Sequence, residues 1–432
     1  MTVPKLQIAI VGGSIAGLAL AAGLARKSHI DVHVYESVSR FADVGAGLAL
    51  HLNAIKAMAL IGPEVQRAYF NKALTMGDED QVMATEVILA QGPHAGQLVA
   101  ELGKAKGRKT VSRADLLDGF LELVPPRCIT FGKRLASITE STPQGKVTLG
   151  FQDGTGVTVD CLLGADGIHS LTRTYLLGSD HPATAPKNHD GWQIYRTLVS
   201  TEEAKKQINA KWTTSVPILL GPKGHVNCIP LNKNTRLSAG VAVRGAKLAK
   251  SGEAPPLDPD LYSDYSQEAQ EIVRMVARDT SASWTAADHD HAPYYARRHV
   301  AKLGDAAHAS LPFAGNGAAQ ALEDAAVLDA VLARVRRPEQ VGLALRAFDA
   351  VRRPWSQAVV ELARRFGRVY AYAEDGMHED PARMRAFFAE TAAFTNAFDV
   401  EGQNEEALRV FRQLCCAGDC EFDREERGEA AP

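Results

Sequence analysis

The stretch Gln7–Leu24, "QIAIVGGSIAGLALAAGL", joins a short apolar run to a glycine-rich turn and a run of alanine and leucine. The apolar run is rich in β-branched residues, which is typical of a strand buried on both faces. The alanine and leucine run predicts a helix ending near Arg26 and Lys27, since cations suit a helix C-terminus. A second strand, "IDVHVYE", ends at Glu36. This order predicts the first unit of a Rossmann-like nucleotide-binding domain.

The glycine turn has the spacing of a dinucleotide-binding loop, with one departure. Gly12 permits the tight turn and Gly17 lets the helix lie close to the strand, but Ser14 stands where a middle glycine is usual. Because serine is small and its hydroxyl can donate to a phosphate, we expect the loop to hold a pyrophosphate at the helix N-terminus. The predicted loop residues are Gly12, Gly13, Ser14, Ile15, Ala16 and Gly17.

Glu36 indicates which nucleotide the loop accepts. It lies 19 residues after Gly17, where a carboxylate can bond both ribose hydroxyls and would repel a 2′-phosphate. The first unit is therefore expected to bind the ADP part of FAD or NAD rather than NADP. At this point the residues leave open an NAD-dependent dehydrogenase and a flavoprotein.

Composition excludes several other classes of protein. The 432 residues are 46% apolar and 23% charged with a net charge of −3, and no basic block predicts binding to nucleic acid or an anionic membrane. The uncharged segment 8–25 is split by its glycine turn, so a strand and a buried helix explain it better than a membrane span. The six cysteines lack disulfide or zinc spacing, and no signal peptide is recognised, which favours reduced thiols in the cytoplasm. No metal site is expected, and "DHDH" (Asp288–His291) is interpreted as a solvated turn.

Two later motifs decide between the nucleotide cofactors. "VDCLLGADGIHSLTR" places Asp166-Gly167 and then Ser170 after a buried strand, and "HVAKLGDAAHASLPFAGNGAAQALEDAAVL" places Gly304-Asp305 after another. With the opening loop, this set resembles the single-component FAD-dependent aromatic hydroxylases of the salicylate hydroxylase kind, over roughly residues 5–360. No second complete dinucleotide fingerprint follows, which favours this family over reductases with separate FAD and nicotinamide domains.

The resemblance implies roles for particular residues. Asp305 would bond the ribityl chain of FAD, Asp166 and Gly167 would lie near the pyrophosphate, and Arg113 would reach the cofactor. The backbone carbonyl of Pro312 would face the substrate. A helix beginning near Gly317 has a positive N-terminus that suits the anionic edge of a reduced flavin. The remaining expected cofactor contacts are Gly45, Ala46 and Gly47 in a second glycine-rich stretch, and Gly315, Asn316, Gly317 and Ala318 at this helix.

The middle of the chain has a different pattern of apolar and polar residues. "GWQIYRTLVS", "VPILLGPKGHVNCIPLN" and "TRLSAGVAVR" alternate apolar and polar residues between turn signals, which predicts an antiparallel sheet. Arg196 in this sheet is the main substrate candidate, because a guanidinium binds a phenolate or carboxylate through paired charge-assisted bonds. An arginine on the wet face of the sheet is the alternative. Tyr195 and His225 are weaker candidates of the same kind.

Together these features predict an α/β protein: a Rossmann-like FAD-binding domain, an inserted, mostly antiparallel substrate sheet and a C-terminal helical segment. The expected ranges are 1–75, 105–180 and 293–360 for the FAD domain, 76–104 and 181–292 for the substrate domain, and 361–432 for helices and a frayed tail.

The expected activity is hydroxylation of a small phenol, salicylate-like or a polyketide phenol, by FAD, NADPH or NADH and O₂ through a flavin C4a-hydroperoxide, with decarboxylation or dearomatisation left open. The alternatives are an NAD-dependent dehydrogenase and a non-catalytic FAD-binding protein. A cytoplasmic monomer or homodimer without nucleic-acid or membrane partners is expected.

Overall fold

The computed structural model describes residues 5–41, 47–76, 79–141, 145–247 and 254–426. Strands and helices alternate over most of this length, and helices alone follow residue 302. The strands are β1 (Leu6–Val11), β2 (Ile30–Tyr35), β3 (Gly47–Leu48), β4 (Leu74–Thr75), β5 (Val82–Leu89), β6 (Leu98–Lys106), β7 (Lys109–Ser112), β8 (Ile129–Thr130), β9 (Leu135–Ser141), β10 (Lys146–Phe151), β11 (Gly156–Val159), β12 (Cys161–Gly164), β13 (Gln193–Ser200), β14 (Val216–Gly221), β15 (Gly224–Leu231), β16 (Arg236–Val243), β17 (Trp284–Thr285), β18 (Ala296–Arg297) and β19 (Val300–Lys302). The helices are α1 (Ile15–Leu24), α2 (Leu52–Ile61), α3 (Pro63–Lys72), α4 (Arg113–Leu121), α5 (Leu171–Leu177), α6 (Thr201–Ala204), α7 (Gln267–Ala277), α8 (Asp305–His308), α9 (Gly317–Leu332), α10 (Val341–Tyr370), α11 (Pro381–Asn396) and α12 (Val400–Glu426).

A six-stranded sheet in the order β18-β19-β12-β1-β2-β8 organises the first domain. Its strands are parallel except for β18, and Ile8 of β1 pairs with Cys161 on one side and Val32 on the other. Every residue of α1 is buried, because this helix lies between the sheet and α9. The predicted Rossmann-like α/β arrangement is confirmed.

The opposite face of this sheet is covered mainly by a three-stranded meander, β9-β10-β11, with α5 beside it. Ile138 and Leu149 of the meander pack with Ala9 and Val11 of β1 in one hydrophobic cluster. The sequence analysis did not predict this cover. It leaves the carboxyl ends of the parallel strands free for a ligand.

A seven-stranded sheet in the order β17-β13-β16-β15-β14-β5-β6 forms the substrate domain. All its pairs are antiparallel except β14 with β5, as the mostly antiparallel prediction requires. One face packs on α7 through Tyr195, Val241 and Ile272. The other face packs through Ile194 and Leu220 on the C-terminal helices and on the segment after α8. The exact domain limits stay a prediction.

The C-terminal segment is helical, as predicted. Helix α10 continues through Pro354, and α12 packs against both α10 and α9. Helix α12 extends to Glu426, inside the stretch expected to be frayed, while residues 427–432 lie outside the described residues. Among the described residues, no helix has both the length and the apolar composition to cross a membrane.

One local prediction is wrong. Asp288 and His289, expected in a solvated turn, are 1% and 2% exposed. The reason is an ion pair, since the Arg364 guanidinium of α10 donates to both carboxylate oxygens of Asp288 at 2.7 and 2.9 Å. This ion pair therefore holds the segment at Asp288 against α10.

Candidate active site

The turn between β1 and α1 has the shape of a phosphate-binding loop. Gly12 has a φ of +105°, and a Cβ there would lie 2.2 Å from the carbonyl oxygen of Ala165. A Cβ on Gly17 would lie 2.1 Å from the carbonyl oxygen of Gly12, so neither position accepts a side chain. Ser14 is the N-cap of α1, and its Oγ accepts a hydrogen bond from the Gly17 N–H at 3.2 Å. The Ser14 hydroxyl hydrogen remains available for a phosphate.

Glu36 lies beside this loop at the end of β2. One carboxylate oxygen accepts from the Gly13 N–H at 2.6 Å and the other from the Val38 N–H at 2.8 Å. The structure therefore brings Glu36 to the phosphate loop, where the ribose of the nucleotide was expected. Ile15 and Ala16 are buried in the first turn of α1 and contribute backbone and packing only.

A cavity of about 570 Å³ opens at these residues and extends to Asp166 and Gly167. Four cationic side chains, Arg40, Arg113, Lys133 and Arg134, also line it. Cavities of roughly 300–1,000 Å³ hold small ligands, and this one combines an acidic side chain for ribose with cations and a helix N-terminus for phosphates. The residues present fit the ADP part of FAD.

The Asp166 carboxylate is hydrogen-bonded within its own turn rather than free to bind a ligand. Its carboxylate accepts from the Ser170 hydroxyl at 2.6 Å and from the Thr172 N–H at 2.9 Å. Burial raises the pKa of Asp166, and these hydrogen bonds oppose the shift. Gly167, with a φ of +75° and open space where a Cβ would lie, presents its backbone to the cavity. Asp166 thus shapes the turn that Gly167 offers to the cofactor.

Asp305 is the first residue of α8 and follows Gly304 at the end of β19. Its side chain has no hydrogen bond to any described residue. Burial raises the pKa of Asp305, and the charges of His308 and Arg113 oppose this rise. Arg113 of α4, which also lines the nucleotide cavity, is therefore electrostatically coupled to Asp305. A carboxylate in this position suits the hydroxyls of a ribityl chain.

The N-terminus of α9 is the third cofactor segment. Gly315 is left-handed at a φ of +63° with open space around it, and Gly317 is the first helical residue, followed by Ala318. The Asn316 side chain does not cap the helix but donates to the Ala314 carbonyl at 3.2 Å. The N–H groups of the first turn thus have no side-chain cap, and they suit an anionic flavin edge.

The second glycine-rich stretch is only partly described. Gly45 and Ala46 lie outside the described residues. Gly47 begins β3, and a Cβ there would lie 2.9 Å from Ile229 of β15. Gly47 therefore packs at the substrate sheet and is not part of the nucleotide cavity.

A buried ionic network that the sequence analysis missed connects two of these segments. Arg352 of α10 is fully buried and donates to Asp324 at 2.7 Å and to Glu323 at 2.6 Å. Asp324 in turn accepts from the Gly304 N–H at 2.8 Å and contacts His308 Nε2 at 2.6 Å. Burial lowers the pKa of Arg352, but the two carboxylates outweigh it and the pKa is raised.

The other carboxylate, that of Glu323, connects Arg352 to the start of α9. Glu323 accepts from the Asn53 amide at 2.9 Å, and the same amide donates to Asn316 Oδ1 at 3.3 Å. One guanidinium therefore positions both Asp305, through Gly304 and His308, and the start of α9, through Asn53.

The substrate sheet brings Arg196 to the face that packs on the segment after α8. Because side chains alternate along a strand, Arg196 shares this face with Trp192 and Ile194. The Trp192 ring lies 4.4 Å from that of Phe313 in this segment. Arg196 is half-buried, and its guanidinium lies 4.6 Å over the Trp284 ring. Burial lowers its pKa, and no carboxylate among the described residues pairs with it.

A row of paired residues runs across three strands from Arg196. Arg196 of β13 and Asn227 of β15 are both paired with Gly240 of β16, which stands between them without a side chain. With strands about 4.8 Å apart, the outer two backbones are about 10 Å apart. Asn227 was missed by the sequence analysis and has no side-chain hydrogen bond to a described residue. The missing side chain leaves a notch above Gly240 with a polar group at each side, and Asn227 Oδ1 reaches into it, 2.7 Å from where a Gly240 Cβ would lie.

The other substrate candidates have different positions. Tyr195 points to the opposite face, where its hydroxyl donates to the Pro255 carbonyl at 2.6 Å, so its placement does not support a substrate contact. His225 shares the face of Arg196 and packs against Phe313 and Tyr370. Burial lowers its pKa to about 3, and its Nδ1 has no partner among the described residues. The Pro312 carbonyl accepts the Gly315 N–H at 3.1 Å, which uses one of its two lone pairs.

Comparison with known proteins gives a consistent result. A family model described as an FAD binding domain matches residues 5–363. The chain is 33% identical to 6-methylsalicylate 1-monooxygenase of Aspergillus terreus, covering 95% of this chain and 93% of that protein. It is 30% identical to a salicylate hydroxylase of Pseudomonas putida, covering 84% and 86%. A solved salicylate hydroxylase substrate complex superposes with a TM-score of 0.77 at 26% identity, covering 93% and 98%.

Asp305→Ala tests the cofactor assignment. We expect the dissociation constant for FAD to rise about tenfold to a hundredfold, because a hydrogen bond to a charged group contributes about 1.5–3 kcal/mol. Thermal unfolding of the apoprotein should be unchanged, since the carboxylate has no partner among the described residues. Fluorescence titration of apoprotein with FAD measures the affinity. Wild-type affinity in the variant would contradict the assignment.

Arg352→Met tests the buried network. Removing one partner of a buried ion pair costs about 3–5 kcal/mol, so we expect strong destabilisation and loss of FAD during purification. Arg353→Met is the control, because its pair with Asp349 is partly exposed and contributes about 0–1 kcal/mol. Urea denaturation and FAD content are measured for both variants. Equal effects of the two substitutions would show that Arg352 has no special role.

Proposed function

The chain belongs to the FAD-dependent monooxygenases that share the FAD binding domain, and we propose that its substrate is a small phenolic acid of the salicylate type. In this proposal Arg196 binds the anionic group of the substrate. The expectation of an NAD-dependent dehydrogenase is set aside, because the family is one of FAD-dependent aromatic monooxygenases.

The unpaired Arg196 is the observation that carries the proposal. A half-buried guanidinium loses hydration, and proteins compensate such charges with a nearby anion. Arg196 has the Trp284 ring as its neighbour but no described carboxylate. A substrate carboxylate or phenolate supplies the missing charge and matches the planar fork of the guanidinium.

The surroundings of Arg196 suit an aromatic ring. The notch at Gly240 gives a flat floor without a side chain, and Asn227 offers an amide to a second polar substituent. Phe313 and Trp192 form an apolar wall on the same face, and the neutral His225 ring adds to it. The 6-methylsalicylate and salicylate enzymes among the relatives act on rings of this size, as their names state.

The protein's contribution to the reaction is binding, orientation and charge control. When bound, FAD supplies the oxidation chemistry: it takes electrons from NADH or NADPH and uses O₂ to oxidise the ring. Glu36 and Asp305 would hold the ribose and ribityl parts of FAD, and the N–H groups at the start of α9 would stabilise its anionic edge. Arg196 favours the ionised phenol, in which the ring carbons ortho and para to the oxygen are richest in electrons. Trp192 and Phe313 would pack against the ring of the substrate.

The compartment, the oligomeric state, the partners and the product belong to the same proposal. We propose a cytoplasmic enzyme, monomeric or homodimeric, that needs the phenol, O₂ and the reductant as its only partners. Salicylate-type decarboxylation and dearomatisation of a polyketide phenol both require Arg196 to bind an anionic group of the substrate. Product analysis with each class of phenol distinguishes the two reactions.

Arg196→Ala tests the substrate assignment. We expect kcat/KM for phenol-stimulated oxidation of NADH or NADPH to fall about tenfold to a hundredfold, because a charge-assisted bond contributes about 1.5–3 kcal/mol. FAD content should not change. Arg244→Ala, which removes a cation paired with Asp190 on the same sheet, is the matched control. If both Arg196→Ala and its control lower kcat/KM equally, or if FAD is lost in parallel, Arg196 is structural.

Gly240→Val tests the notch. The added side chain occupies the space between Arg196 and Asn227, since even a Cβ would lie 2.7 Å from Asn227 Oδ1. We expect the KM for the phenol to rise while FAD affinity stays at the wild-type value. Substrate binding is measured by the change in flavin fluorescence. An unchanged KM would place the ring elsewhere on the sheet.

A further inference from the structure

A groove separates β6 of the substrate sheet from α11. It has a volume of about 340 Å³ and is open to solvent. Leu98, Leu102, Phe388 and Ala392 supply apolar walls, and two exposed charged side chains, Glu101 and Arg385, also border it. The groove has no role in the cofactor or substrate contacts described above.

A second, deeper cavity adjoins the groove. Its volume is about 30 Å³, and it is bordered by Ala314 and Asn316 of the cofactor segment and by Phe366 of α10. Leu102 and Ala392 border both the groove and the inner cavity. The groove and the inner cavity therefore meet at these two residues, and the start of α9 borders the inner cavity.

Three of the four polar side chains that border the inner cavity are hydrogen-bonded to other protein groups. The Thr391 hydroxyl donates to the Phe387 carbonyl at 2.8 Å, and the Thr395 hydroxyl donates to the Thr391 carbonyl at 3.2 Å. Asn316 is bonded to Asn53 and Ala314.

His51 is the titratable side chain that borders the inner cavity. Burial and the charge of Arg108 lower the pKa of His51 to about 4, so it is neutral at physiological pH. A cavity with few free polar partners holds water poorly and accepts apolar atoms such as xenon.

We propose that the groove and the inner cavity form the route by which O₂ reaches the FAD site, and that the inner cavity is a binding site for a small apolar gas molecule. This inference rests on the proposed function, because it assumes an enzyme that uses O₂. The inner cavity, at about 30 Å³, is too small for a phenolic acid, and Thr391, Thr395 and Asn316 at its border are already hydrogen-bonded to protein groups. Dioxygen is both small and apolar.

Xenon binding gives a test that does not depend on activity. FAD-loaded protein is exposed to xenon, and binding is followed by ¹²⁹Xe NMR and by xenon-pressurised crystals. We expect xenon in the inner cavity of the wild type and none in Ala392→Phe, whose ring fills the shared boundary. Ala393→Phe is the control, because Ala393 lies on the same helix but is exposed. No xenon at this position in the wild type would overturn the proposal.

Reoxidation kinetics give the second test. The bound flavin is reduced chemically under anaerobic conditions and mixed with O₂, so no substrate is needed. We expect the bimolecular reoxidation rate constant of Ala392→Phe to fall about tenfold, a rise of about 1.4 kcal/mol in the barrier, with Ala393→Phe unchanged. Leu102→Trp serves as a second blocking variant if Ala392→Phe does not fold.

The outcomes separate this inference from the proposed function. Wild-type reoxidation in a folded blocking variant overturns the O₂ route, and so does a variant that loses phenol binding while keeping its reoxidation rate, because the groove then admits substrate. The proposed function is judged by a different quantity, the stimulation of flavin reduction by a phenolic acid in the wild type.

Discussion

The buried guanidinium of Arg352 is the interaction on which the cofactor site depends. It lies on a C-terminal helix and is compensated by two adjacent carboxylates of α9, Glu323 and Asp324. Each carboxylate then holds a different cofactor segment, Gly304 in one case and Asn53 with Asn316 in the other. Because an uncompensated buried charge is strongly destabilising, neither contact can be lost alone without penalty. The C-terminal helices thus hold in place the two segments that are expected to bind the flavin.

The geometry of a parallel sheet explains why distant motifs converge. β2, β1, β12 and β19 are adjacent and parallel, so their carboxyl ends lie along one edge of the sheet. Glu36, the loop at Gly12, Asp166 and Asp305 each follow one of these strands near that edge. Ligands of open α/β sheets bind at such edges. The antiparallel sheet has Arg196 on the face that packs on the segment after Asp305, so the proposed substrate and cofactor residues belong to neighbouring parts of the fold.

Much of this site could be predicted because the signals are local. Gly12 has a positive φ, Gly17 lies against the Gly12 carbonyl, Glu36 directly follows β2, and Gly317 begins a helix after a left-handed glycine. The choice of both Tyr195 and Arg196 as substrate candidates neglected the alternation of side chains along a strand. Adjacent residues of a strand face opposite sides, so Tyr195 and Arg196 cannot both line one pocket.

The features that were missed depend on long-range packing. Arg352 is 28 residues from Asp324 in sequence, and nothing local indicates that this arginine rather than Arg353 is buried. Glu323 and Asp324 do carry a signal, since two adjacent carboxylates in an apolar helix need a partner. Asp288 was expected in water because its partner Arg364 lies 76 residues away. Asn227 became visible only when the strand register placed it across from Arg196.

Hydrogen exchange in the FAD-free protein tests the role of Arg352 most directly, because it observes the two cofactor segments themselves. The hydrogen-bonded backbone amides of Gly304, of α8 and of α9 from Gln320 onward are compared between the wild type and Arg352→Lys, which keeps the charge but loses the planar guanidinium. The account predicts that exchange accelerates in both segments together while β1 and β12 keep their protection. Faster exchange in one segment only, or in neither, would contradict the claim that a single guanidinium holds both.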